Sequence, residues 1–122
     1  MRAILLTLLF CASNICAQEC KQYIPPDGVS LSIEKDKDPS VGIVYVWAPL
    51  ELEGSKIKSF IFSASREIDG EVAELALPMK WKVKGNKAGA YYHSTSSWVN
   101  IEITVIYGEN DCGPELRANI GI

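Results

Sequence analysis

The chain has 122 residues, 48% hydrophobic and 22% charged, a composition that excludes a disordered or collagenous chain and fits one globular domain. Twelve Lys and Arg stand against 15 Asp and Glu, a formal charge of −3. There is no basic excess to displace counterions, so nothing electrostatic favours nucleic acid as a partner.

The chain opens as an export signal. Met1-Arg2 is a short positive start, Ala3 to Ala12 is an apolar run, and Ile15-Cys16-Ala17 offers a cleavage site ending in a small residue. The run is well short of the roughly 20 residues a membrane-spanning helix needs, which argues against a stable membrane anchor. Large residues before Cys11 and Cys16 argue against a lipid anchor. Residues 1–17 are therefore read as a signal peptide and residues 18–122 as one domain, soluble and either periplasmic or secreted. Cleavage removes Cys11 and Cys16 and leaves Cys20 and Cys112, which have one intramolecular pairing in an oxidising compartment. In the chain-entropy account such a disulfide is worth roughly 4–5 kcal/mol. A redox pair would need closely spaced thiols, and no CxxC occurs.

Along the mature chain, short runs of alternating character are punctuated by Gly, Pro, Asp and Asn, with no capped helical period. Val29 to Glu34 reads as a strand and Lys35 to Ser40 as a polar loop. Gly42 to Ala48 is apolar on both faces, which predicts a central strand ended by Pro49, with Trp47 in the core. Asp69-Gly70 is a type I′ hairpin turn candidate. Taken literally it pairs Ala64 with Leu75, Phe62 with Leu77 and Phe60 with Met79 on one apolar face, and Ile61 with Pro78 on the other. Pro78 cannot donate to a ladder, so a bulge or break is expected there.

Gly85-Asn86 gives a second hairpin that sets Val83 opposite Ala88, Trp81 opposite Ala90 and Met79 opposite Tyr92. These residues, with Val83 among them, are assigned to the core, at the cost of facing Lys84 with Lys87. Val99, Ile101, Ile103, Val105 and Tyr107 form the inward face of a long strand, with Trp98, Asn100, Glu102 and Thr104 outward. Gly108 to Glu115 is a loop and Leu116 to Ile120 a closing strand. About seven strands at this spacing predict an all-β fold, a single antiparallel β-sandwich of immunoglobulin-like type, with a small β-barrel as runner-up.

Chemistry is sparse. The one histidine, His93, has serines nearby but no glycine-rich elbow, so a small hydrolase is a weak alternative and the chain is read as a non-enzyme. No cofactor is implied. One His and two cysteines expected to be oxidised do not make a zinc site, and no DxDxDG loop offers calcium a cage. Asp36/Asp38 and Glu51/Glu53 read as solvated. Ala88-Gly89-Ala90-Tyr91-Tyr92 resembles the short loop motif of periplasmic lysozyme inhibitors, over five residues and without the serine usual there. No residue role is carried over from it.

The partners of the core positions are the candidate site. Lys80, Lys82, Tyr91 and His93 alternate with buried residues, and Trp98 in the adjoining Ser94–Trp98 loop is expected outward. Cationic stems beside aromatic rings suit a protein–protein surface. The expected function is an exported binding module, with inhibition of, or immunity against, an extracellular enzyme as one concrete form. The alternative is a carbohydrate-binding module.

Overall fold

The computed structural model describes residues 23–38, 40–94, 97–109 and 112–120. The signal segment 1–17 and Cys20 lie outside the described residues. Among the described residues nine strands form: β1 (Ser32–Lys35), β2 (Ile43–Pro49), β3 (Glu51–Leu52), β4 (Ser55–Ile68), β5 (Glu71–Met79), β6 (Lys82–Lys84), β7 (Lys87–His93), β8 (Val99–Tyr107) and β9 (Glu115–Ile120). They make two antiparallel sheets packed face to face, a β-sandwich and not a closed barrel. One sheet runs β1-β2-β7-β6; the other runs β3-β4-β8-β9, with β5 also paired to β4.

The first hairpin forms in the register its sequence specifies, with Phe60 opposite Met79, Phe62 opposite Leu77 and Ala64 opposite Leu75. Asp69 and Gly70 both take positive φ, as a type I′ turn requires. A two-residue hairpin closes on a hydrogen-bonded pair, here Ile68 and Glu71, and bonded pairs then alternate with non-bonded ones. By that alternation Pro78 sits opposite Ile61 in a non-bonded pair, its missing N–H on the outer edge of β5. The expected break at Pro78 therefore does not occur, because an edge strand tolerates proline in that phase. The break falls at Lys80–Trp81, where the chain leaves one sheet and enters the other as β6.

Glu53-Gly54 closes a further hairpin, β3–β4, that the sequence reading missed. Both residues have positive φ there, and Glu is an uncommon choice at such a position.

The core lies between the sheets. Val44, Val46 and Ala48 of β2, with Ala88 and Ala90 of β7, meet Phe60, Ala64, Ile101, Ile103, Val105, Tyr107, Leu116 and Ile120. Two bulges steer side chains into it. Between Ile57 and Ser59 an extra residue in β4 brings Ile57 onto the same face as Phe60. In β8, Ser63 faces Glu102 but Ser65 faces Val99, so β8 spends three residues where β4 spends two. Asn100, at φ 54°, takes up the extra residue and donates from Nδ2 to Ser65 Oγ at 3.1 Å.

That second bulge corrects one expectation. It reverses the alternation, turning Val99 outward and Trp98 toward the core, where Trp98 is half-buried with the Arg66 guanidinium 5.0 Å from its ring centre.

Candidate functional site

The short β6 makes the site. Its ladder with β7 runs from Lys84↔Lys87 to Lys82↔Gly89 and stops. Gly85 has positive φ, the first central position of a type II′ turn. Beyond Lys82 the chain turns away toward β5, leaving a groove of about 930 Å³ alongside β7. One wall is the outer face of the four-stranded sheet, with Tyr45, Trp47, Tyr91 and His93; the other comes from the mouth between the sheets, with Phe62, Leu77 and Met79.

Register explains the outer wall. Tyr45 faces Tyr91, and Trp47 faces Gly89, which in turn faces Lys82. Directly opposed residues share a face, so these side chains lie together on the outer surface. Tyr45 and Trp47 have ring centres 6.5 Å apart and planes within 15° of each other. Tyr91 lies 6.0 Å from Tyr45 and 6.1 Å from the His93 ring, which it meets edge-on. The Trp47 Nε1–H donates to Glu34 Oε1 at 3.1 Å, and Lys84 Nζ sits 5.9 Å from the centre of the Trp47 ring. That contact gives the Lys84 ammonium a favourable neighbour despite Lys87 opposite it.

The inner wall is less well covered than alternation predicts. Tyr92 stacks obliquely on Phe62 at 5.1 Å, and Trp81 on Phe60 at 6.0 Å, so both are half-buried supports, and burial raises the pKa of the Tyr92 hydroxyl. Val83, assigned to the core, is 59% exposed, because β6 is a three-residue edge with little of the second sheet beneath it. Leu77 is 49% exposed and Tyr91 58%.

Four of the five nominated residues, Lys80, Lys82, Tyr91 and His93, therefore line one groove, whereas Trp98 stands apart with Arg66. Of the adjoining loop, Thr95 and Ser96 lie outside the described residues. Trp47 is a correction: alternation across a run apolar on both faces does not say which face is inward, and Val44, Val46 and Ala48 take the core. Tyr45, Trp47, Lys84 and Leu77 were missed as groove residues. The available signal was Gly89, the one position opposite Trp47 without a side chain to obstruct an indole.

The residues Ala88 to Tyr92 lie within β7 and not in a loop. Among the described residues no group of three or more His, Cys, Asp or Glu is arranged to hold a metal. Asp36 and Asp38 serve their own turn, with Asp36 Oδ1 accepting the Asp38 amide and Asp38 Oδ1 both donors of Ser40, whereas Glu53 accepts the distant Tyr23 hydroxyl at 2.8 Å. The Ser40 bonds hold the Asp38 carboxyl below its ordinary pKa. No family model matches the chain, and no curated protein and no solved structure matches it.

Proposed function

We propose that the chain is an exported, non-catalytic β-sandwich module, held by a Cys20–Cys112 disulfide, that binds a protein partner through the groove beside β7. Inhibition of an extracellular enzyme, or immunity against one, is a concrete form of this role. The observation that carries the reading is the groove's composition. Lys80, Lys82 and Lys84 surround exposed aromatic and aliphatic side chains, and no carboxylate is among the lining residues of an otherwise acidic chain. Depletion of acidic groups with enrichment of aromatic ones is the mark of an interface core. The test compares capture of partners from the native periplasm or medium by the wild-type chain and by a Tyr91→Ala/Lys82→Glu variant of intact fold. Loss of a specific partner supports the groove, and unchanged capture removes it.

One observation favours carbohydrate as a second reading. The Tyr45 and Trp47 rings are near parallel, an arrangement on which sugar rings stack. A glycan array separates the two: binding that Trp47→Ala abolishes would put carbohydrate first.

A further inference from the structure

We propose that the groove takes its partner by strand addition, an extended acidic segment pairing with the free edge of β7 at Tyr91 and His93. This names the partner's chemistry for the protein-binding reading above and rests on it.

The backbone supplies the first part of the argument. β7 runs from Lys87 to His93, but β6 covers it only as far as Gly89. The Ser94 N–H bonds to the Gly42 carbonyl on the β2 side. Along an antiparallel strand the polar groups of successive residues point to opposite edges. Tyr92 and Ala90 therefore direct theirs to β2, and Tyr91 and His93 direct theirs to the other edge. Among the described residues no strand pairs with β7 on that side beyond Gly89. An uncovered edge of this kind is a template for another strand.

Side chains supply the second part. A strand laid along this edge would alternate its residues between the two walls. One set would meet Tyr91 and His93 on the outer face; the other would meet Phe62, Leu77 and Tyr92 at the mouth between the sheets. Both walls are apolar enough to receive such residues, and Leu77 and Tyr91 are about half exposed.

Charge selects the occupant. Lys80 and Lys82 flank the point where β6 leaves, and the lining holds no carboxylate to neutralise them. A second copy's β7 edge and groove lining carry no carboxylate to offer these lysines. An acidic segment meets them with opposite charge, which steers association and suppresses the wrong partner.

The test uses the mature protein labelled for amide-resolved hydrogen exchange. The probe is a synthetic peptide of about ten residues alternating Glu and Val, enough to exceed an ordinary strand. In the free protein the Tyr91 and His93 amides should exchange at least about tenfold faster than those of Ala90 and Tyr92. Saturating peptide should slow Tyr91 and His93 by about tenfold or more. A Lys/Val peptide, the same Glu/Val peptide N-methylated at alternate residues, and the Lys82→Glu protein should each give about tenfold weaker binding. Protection of Tyr91 and His93 in the free protein would overturn the proposal: at all concentrations it means the chain covers its own edge, and rising with concentration it means a second copy does. Peptide binding without amide protection, or indifferent to N-methylation, also overturns strand addition but leaves the protein-binding groove standing. No binding of the Glu/Val peptide overturns it too, while the groove itself is judged separately by the capture comparison.

Discussion

The Trp47 indole lies directly over Gly89 on the neighbouring strand: a Cβ built on Gly89 would come to 2.5 Å of Cε3 and 3.0 Å of Cη2. Nothing larger than glycine fits while the indole keeps its place. Gly89→Ala should destabilise the fold by about 1–3 kcal/mol, the range for overpacking. In a Trp47→Ala background the same change should cost little, so a double-mutant cycle in urea should return a coupling of about 1 kcal/mol or more.

Asn100 holds a left-handed backbone at the β8 bulge, where a β-branched side chain is strained. Asn100→Val should cost about 1–2 kcal/mol and Asn100→Gly much less, in thermal or urea denaturation. The Val variant should also alter Trp98 fluorescence, since the bulge is what turns that ring toward the core.

Tyr107 is fully buried and donates its hydroxyl to the Pro49 carbonyl at 2.7 Å. Burial, with a smaller contribution from Tyr23, pushes its pKa up to about 12. An unfolded chain ionises tyrosine near about 10, so as pH rises from there the unfolded state releases the proton first. The stability contribution is complete below about pH 10 and is lost as pH rises toward 12. Urea midpoints should therefore fall more steeply over that window in the wild type than in Tyr107→Phe. At neutral pH the Phe variant should be less stable by about 1 kcal/mol for the lost hydrogen bond.

The proposed Cys20–Cys112 pairing predicts no titratable thiol in the folded, unreduced mature protein. Reduction, or a Cys20→Ser/Cys112→Ser variant, should lower stability by about 2–5 kcal/mol in denaturant titration. Two titratable thiols would exclude the bond.

Hairpin registers were the most legible part of the fold. Asp69-Gly70 and Gly85-Asn86 announce their turns, and the first fixes a whole ladder by a period of two, down to Phe60 opposite Met79. The second fixes only Lys84 opposite Lys87, Val83 opposite Ala88 and Lys82 opposite Gly89; the expected pairs Trp81–Ala90 and Met79–Tyr92 do not form, because the chain leaves β7 at Trp81 and Met79 belongs to β5. Alternation fails where one residue is inserted without a glycine to mark it, as at Asn100, and every side chain beyond it, Trp98 included, then faces the other way. It also fails for β2, where both faces are apolar, so alternation misplaces Trp47 in the core and conveys only part of the outer aromatic wall. Tyr91 and His93 were legible because β7 alternates, with Ala88, Ala90 and Tyr92 inward and Tyr91 and His93 exposed, and Lys82 because it falls in phase with them across the β6–β7 ladder. Their common groove was not, since it depends on how early β6 gives out, and no local pattern records that length.

The central claim is that the face beside the free edge of β7 engages a protein. The most direct measurement is the affinity of the captured partner for the wild-type chain and for Tyr91→Ala/Lys82→Glu, with the fold of each checked by circular dichroism. The account predicts a loss of about a hundredfold or more, since truncating an exposed aromatic anchor and reversing a neighbouring charge remove about 3 kcal/mol together. Unchanged affinity with an intact fold would contradict it, placing the site elsewhere and leaving the lysines as guards of a sheet edge.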